Sequence, residues 1–352
     1  MNRILPFHQA ILEATDICLE RDPRVYLMGL GVPDPRGIFG TTIGLQEKFG
    51  PGRVFDVPVS ENGMTGIAIG SAITGYRPIL THQRFDFALL TMEQLVNQAA
   101  KWHYMFGGQA SVPLVIRMVI GRGWGQGPQH SQALHAWFAH VPGLKVVMPA
   151  TAADAKGLLI SAVEDNNPVI FLEHRWLHAI TGHVPEGHYT TPIGPARTVR
   201  EGKDVTIAAT SYMVLEAIRA SEMLEENGIF AEILDMRTIA PLDLPRITAS
   251  VEKTGRLAVA DIGTKSFGIG AEIISTLTEI NPAIFKAPPT RIALPDFPTP
   301  TSPALAAHYY PRAPHIADGV LRMFGKSGSQ ETLQCDSSLH YDVPDRSFKG
   351  PF

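Results

Sequence analysis

Short apolar runs alternate with longer stretches of helical period along almost the whole chain, and this alternation restricts the fold more than any other feature. Strand-like runs fall at Val25–Met28, Val54–Val59, Arg77–Leu80, Leu114–Met118, Leu144–Met148 and Val169–Leu172. Helix-like stretches lie between them at Ala10–Arg21, Gly63–Thr74, Met92–Trp102 and Ala152–Glu164. Strands separated by helices do not pair as tight hairpins, so a mainly parallel sheet in an α/β fold is expected. The pattern restarts with Val205–Ala209, Tyr212–Asn227, Ala231–Asp235, Leu257–Ala260 and Gly268–Thr278. A chain of 352 residues is long enough for about two such domains. Thr181–Pro195, rich in Pro, Gly and His and without clear period, reads as the connection. The expected organisation is an α/β domain at 1–180, a linker at 181–195, a second α/β domain at 196–325 and a polar tail at 326–352.

Composition narrows the function. A net charge of −4 gives no basic excess to neutralise phosphates, which argues against a general nucleic-acid binder. No stretch approaches the ~20 apolar residues of a membrane span. Cys18 and Cys335 are too few for a disulfide framework and suit a reducing compartment, and the N-terminal apolar run is too short for a signal peptide. A cytoplasmic protein is expected.

Several motifs fail on inspection. Gly29-Leu-Gly31 is followed by Asp34 where a dinucleotide fingerprint needs glycine, and Gly268-Ile-Gly270 also lacks its third glycine. His130, His135 and His140 recur every fifth residue, but five residues turn a helix by about 140°, so the three do not share a face for a metal. His130 stands apart because it follows Gly121-Arg-Gly-Trp-Gly-Gln-Gly-Pro128, whose glycines permit close backbone approach. Glu61 opens a small, apolar stretch, Val59-Ser-Glu-Asn-Gly-Met-Thr-Gly-Ile-Ala-Ile-Gly-Ser-Ala-Ile-Thr-Gly75. Spacing alone reads it as a first-turn acid favoured by the helix dipole. Yet Gly66, Ala68, Gly70, Ala72 and Gly75 make a thin-sided helix, at roughly 0.5–1 kcal/mol per helical glycine, which calls for a packing reason. A carboxyl beside such a surface is expected to be desolvated and available as a proton donor.

The segments "RVFDVPVSENGMTGIAIGSAITGYRPI", "QRFDFALLTMEQLVNQAAKWHYMFGG", "VPLVIR" and "QHSQALHAWFAHVPGLKVVMPATAADAKGLLISAVEDNNPVIFLEH" together resemble the β subunits of 2-oxoacid dehydrogenase E1 components. That family includes the pyruvate, branched-chain 2-oxoacid and acetoin dehydrogenases. "DVTIAATSYMVLEAI", "EILDMRTIAPLD" and "FGIGAEI" resemble its transketolase-type C-terminal domain, so the resemblance runs in order from about residue 5 to 322. It implies a thiamine-diphosphate-binding, transketolase-like pyrimidine domain followed by a transketolase C-terminal-like domain. By resemblance, Glu61 bonds N1′ of the aminopyrimidine and favours the tautomer whose imine activates the thiazolium carbon. Phe87 packs on the pyrimidine, Gln83 faces the cofactor, and His130 faces the substrate or the lipoyl acceptor. The family's potassium loop falls on "SAVEDNNPV", with Ala162, Asp165 and Asn167, and Leu114 from "VPLVIR", as ligands.

No Gly-Asp-Gly occurs in the chain, so the diphosphate and its Mg²⁺ are expected on an α subunit, in an α2β2 heterotetramer that hands its acyl group to a lipoyl-bearing E2. The implied activity is decarboxylation of a 2-oxoacid with transfer to lipoyl. The alternative is half of a split transketolase or acyloin-type enzyme that passes a two-carbon unit to an aldehyde. The chain departs from the family's common pattern at Gly31–Thr42 ("GVPDPRGIFGTT"), Leu172–His178 ("LEHRWLH"), Asp261-Ile-Gly-Thr264 and Phe297–Ser302. Loops are where selectivity is set, so these departures leave the substrate open between pyruvate, branched-chain acids, acetoin and a sugar-derived ketone.

Overall fold

The computed structural model describes residues 3–123, 125–326 and 343–344; of the expected tail, all but Lys326, Val343 and Pro344 lies outside the described residues. The chain divides into two compact units. One comprises the residues up to Gly121 together with Trp137–Ile193, and the other Arg122–Ala136 together with the described residues from Gly194 on. The glycine-rich loop and His130 thus group with the second unit, although they lie in the first half of the sequence.

The strands of the first unit are β1 (Ile4–Pro6), β2 (Val25–Met28), β3 (Val54–Phe55), β4 (Arg77–His82), β5 (Val115–Ile120), β6 (Lys145–Val147), β7 (Val169–His174) and β8 (Thr181–His183). β2 to β7 pair in parallel in the order β6-β7-β5-β4-β2-β3. Every residue of β5 and β7 is buried, as expected of parallel strands covered on both faces. The helices Phe7–Arg21 and Ala152–Glu164 pack against each other. β1 and β8 form a separate antiparallel pair.

The expected strand Val54–Val59 stops at Phe55. The Asp56 carboxylate accepts from the backbone N–H groups of Gly31 at 2.9 Å and Val57 at 2.8 Å, and Pro58 has no N–H to continue a ladder. The expected helix Met92–Trp102 divides into a π-helical turn, Gln94–Ala99, and an α-helix, Ala100–Met105.

Two of the departures from the family pattern interlock in this unit. Glu173 on β7 and Arg117 on β5 are fully buried, with Arg117 Nε donating to Oε1 at 2.7 Å and Nη2 to Thr41 Oγ1 at 2.9 Å. Burial alone would raise the Glu173 carboxyl, but the Arg117 guanidinium and His178 Nε2, 3.3 Å away, hold it down at about 2. Phe39, with a left-handed φ of 54°, carries two guanidinium groups over its ring, Arg175 at 4.7 Å and Arg84 at 5.2 Å from its centre.

In the second unit the strands are β9 (Arg197–Arg200), β10 (Val205–Ala209), β11 (Ala231–Asp235), β12 (Thr238–Ala240), β13 (Leu257–Thr264) and β14 (Thr290–Leu294). A sheet of order β14-β13-β10-β11-β9 is parallel except for β9, which runs antiparallel to β11. The helices Met213–Glu225 and Ala313–Met323 pack together beside it. Among the described residues no helix is long and apolar enough to cross a membrane.

Candidate active site

In open parallel sheets ligands bind outside the carboxyl ends of the strands, and in the first unit that edge holds a cleft. β2 ends at Met28 and runs into Gly29-Leu30-Gly31, while β4 ends at His82 and runs into Gln83. The two ends are drawn close. A Cβ at Gly29 would stand 2.3 Å from the Thr81 carbonyl, and one at Gly31, where φ is +76°, 2.5 Å from Gln83 Nε2. These glycines therefore serve the strand edge rather than a dinucleotide. Gln83 Nε2 donates to the Leu30 carbonyl at 3.0 Å, which fixes its side chain on the cleft wall.

Glu61 is the first residue of the helix Glu61–Ile73, half-buried, and it lines this cleft with Val59, Met64, Gln83 and Phe87. Ser60 at the N-cap gives no side-chain bond to the helix, so the Glu61 carboxylate is the acid of the first turn, where the dipole favours negative charge. The sequence "RFDF" sends its two phenylalanines to different ends. Phe85 is fully buried, edge-on to Phe138 at 5.4 Å, whereas Phe87 is 37 % exposed at the cleft. An exposed aromatic face beside a carboxylate suits a flat, nitrogen-bearing ring. The enclosed space is about 30 Å³, room for roughly one water, so these residues supply one wall for such a ring rather than a chamber around it.

Thr81 and His82, which the sequence reading missed, sit at the floor of the same cleft. Both are buried, and among the described residues neither Thr81 Oγ1 nor His82 Nε2 has a hydrogen-bond partner. Burial pushes the His82 imidazole down to about 4, so it is neutral near pH 7. The signal lay in the strand itself, where the apolar Ile79-Leu80 gives way to two polar residues at the carboxyl end of a parallel strand. Orphaned polar atoms there fit an occupant with hydrogen-bonding groups.

His130 is exposed, in a turn where its N–H donates to the Gly127 carbonyl at 3.2 Å; Trp124 of the preceding loop lies outside the described residues. Of the expected potassium ligands, three fall at the end of one helix and Leu114 lies on a neighbouring strand edge. Asp165 follows the helix Ala152–Glu164, which contains Ala162, and precedes Asn167. The Leu114 carbonyl accepts from Val169 N at 2.9 Å. The Asp165 carboxylate is already engaged, pairing with Lys145 and accepting from Asn167 N at 2.8 Å and Nδ2 at 3.1 Å. Arg77 Nη1 donates to the carbonyls of Val163 at 2.9 Å and Asp165 at 3.0 Å. The backbone carbonyls at this loop each keep a second lone pair for an ion. No group of three or more His, Cys, Asp or Glu placed to hold a metal occurs among the described residues.

The chain matches the pyrimidine-binding domain of transketolase over residues 5–179 and the transketolase C-terminal domain over residues 194–316. It is 43 % identical to the β subunit of acetoin:2,6-dichlorophenolindophenol oxidoreductase of Cupriavidus necator, covering 90 % of this chain and 96 % of that one. It is 42 % identical to the mitochondrial pyruvate dehydrogenase E1 component subunit beta-2 of Oryza sativa, over 89 % of this chain and 85 % of the relative. A solved structure described as a split gene transketolase, inactive beta4 tetramer, superposes with a TM-score of 0.74 at 23 % identity, over 92 % of this chain and 100 % of that one, which bears on the fold. With a carboxylate, an aromatic face and a glutamine at one strand edge and these relatives along nearly its full length, the chain belongs to the transketolase-like family of E1 component β subunits.

Proposed function

We propose that this chain is the β subunit of a thiamine-diphosphate-dependent 2-oxoacid dehydrogenase E1 component, working with an α subunit in an α2β2 heterotetramer. The observation that carries the reading is the meeting of Glu61, Gln83 and Phe87 in one cleft. Bound there, thiamine diphosphate supplies the carbon nucleophile that decarboxylates a 2-oxoacid. Glu61 hydrogen-bonds the pyrimidine N1′ and relays a proton there, its position set by the first turn of the helix that carries it. Phe87 offers its face to the ring, and Gln83, held by Leu30, limits how the ring can slide. Thr81 and His82 supply hydrogen-bonding atoms at the floor. His130 assists at the substrate end, and the acyl group passes to a lipoyl-bearing E2. The α subunit holds the diphosphate and Mg²⁺, in keeping with the absence of a Gly-Asp-Gly signature. A potassium ion at the Asp165 loop is held through the backbone carbonyls of Leu114, Ala162, Asp165 and Asn167, since the carboxylate is taken by Lys145.

Two-carbon transfer to an aldehyde is the less favoured reading. The dehydrogenase relatives stand at 42–43 % identity, whereas the transketolase structure stands at 23 %. The test is Glu61→Gln in the co-purified αβ enzyme, measured as 2-oxoacid-dependent dye reduction over a panel of 2-oxoacids and acetoin. The variant should assemble normally and lose at least about 10²–10⁴-fold in kcat, the usual worth of a positioned proton donor. Near-normal turnover would remove Glu61 from the mechanism.

A further inference from the structure

The segment that carries His130 is fastened at both ends within the second unit. At its start Arg122, fully buried, donates from Nη1 to the Pro300 carbonyl at 2.7 Å and from Nη2 to the Thr301 carbonyl at 2.6 Å. A Cβ at Gly127 would stand 2.4 Å from Thr301 Oγ1, so glycine is what lets the loop lie against this turn. At its end His135 Nε2 lies 3.0 Å from Oδ1 and 3.1 Å from Oδ2 of Asp261, with both side chains buried. Asp261 is itself held by Thr210 Oγ1 at 2.7 Å and by the Ile262 N–H at 2.9 Å. A Cβ at Gly263 would come within 2.8 Å of His135 Cε1. The departures Asp261-Ile-Gly-Thr264 and Phe297–Ser302 thus both take part in attaching the histidine segment.

A buried histidine–carboxylate pair gains little net stability over an apolar pair of the same volume, because both groups leave water. What it gives is registration: an imidazole facing both oxygens of a carboxylate whose Oδ1 is itself held by Thr210 and the Ile262 N–H has one orientation. Four residues separate His135 from His130, and of these Ser131 and Ala133 are buried. A shift of the pair is therefore passed along a short, partly packed stretch to the exposed imidazole of His130.

We propose that His135 and Asp261, with Arg122 at the other end, are positioning residues that fix where His130 is presented to the reacting groups. The inference rests on the proposed active-site role of His130. The experiment uses the αβ holoenzyme with His135→Ala, Asp261→Ala, His130→Ala and the His130→Ala/His135→Ala double variant. His135→Ala and Asp261→Ala should each lower kcat about 10–100-fold, as a misplacement of about 1 Å does, with thiamine diphosphate affinity unchanged. His135→Gln, which keeps an N–H near the position of Nε2, should recover part of the loss. The double variant should be no slower than His130→Ala, because the pair acts through that residue. Amide exchange over residues 122–136 should quicken at least about 10-fold in His135→Ala while β10 and β13 keep their protection. Unchanged exchange, or losses that multiply in the double variant, would overturn the inference. A neutral His130→Ala would overturn the catalytic reading of His130 instead, while the exchange data still decide whether the pair anchors the segment.

Discussion

His82 and His178 are held neutral by burial, each pushed down to about 4. On unfolding each returns to its ordinary value near 6.5. Both folded values are depressed, so the stability they confer is full above about pH 6.5 and is lost as pH falls toward 4, where the unfolded chain alone takes up the protons. Each contributes at most about 3 kcal/mol by the bottom of that window. Glu173, held near 2, loses its contribution only below about pH 4.5, so the milder acid range belongs to the histidines. The thermal midpoint of the chain should therefore drop between pH 7 and pH 5, and His178→Gln should flatten that dependence; a midpoint indifferent to pH over this range would contradict the assignment. Legibility at this scale was uneven. Glu61, Gln83 and Phe87 were named because the surrounding segments resemble a family, whereas Thr81 and His82 were not read at all. The burial of a polar strand end is settled by what packs over it, which no local pattern records.

The helix Glu61–Ile73 separates its small residues by face. Thr65, Ala68, Ile69 and Ala72 are buried, while Gly63, Ile67 and Gly70 are exposed at the spacing of one helical stripe. The expectation of a single thin side was thus too simple, since Ala68 and Ala72 belong to the core and Gly66 faces Gln94, whose Oε1 a Cβ would meet at 3.2 Å. A Cβ at Gly70 meets nothing within 4 Å among the described residues. Gly70→Ala should therefore stabilise the isolated chain by about 0.5–1 kcal/mol, the helix-propensity difference. Gly70→Leu should leave the fold intact but weaken association with an α subunit at least about tenfold in a titration of the two chains. Unaltered association would show that this exposed stripe takes no part in binding an α subunit. Elements with contiguous apolar runs were read to the residue, among them β2, β10, β11 and the helix Ala152–Glu164. β1 and β8 were missed because they pair across the sequence, Ile4 with His183, and Thr181–Pro195 looked like linker in isolation.

For the whole chain, the shallow cleft around Glu61 has a consequence for affinity. A wall without an opposing wall buries little of a ligand, and small-molecule sites normally enclose most of theirs. Calorimetry should find thiamine diphosphate bound at least about 100-fold more weakly by this chain alone than by the pair with its α subunit; equal affinity would show a complete site on one chain. The two-part α/β architecture was legible because strand and helix periods alternate throughout. The grouping of Arg122–Ala136 with the second unit was not, since the contacts that hold it join residues distant in sequence, His135 to Asp261 across 126 positions and Arg122 to Thr301 across 179.

Phe39, in cation–π contact with both Arg84 and Arg175, bears on how such subunits can be recombined. Three distant stretches of sequence meet on one ring, so the natural module of exchange between relatives is the set and not the single loop. A chimera whose grafted loop places no aromatic ring at position 39 would take that ring away from two buried guanidinium groups. Shuffling boundaries for this family are better drawn through contacts than along the chain.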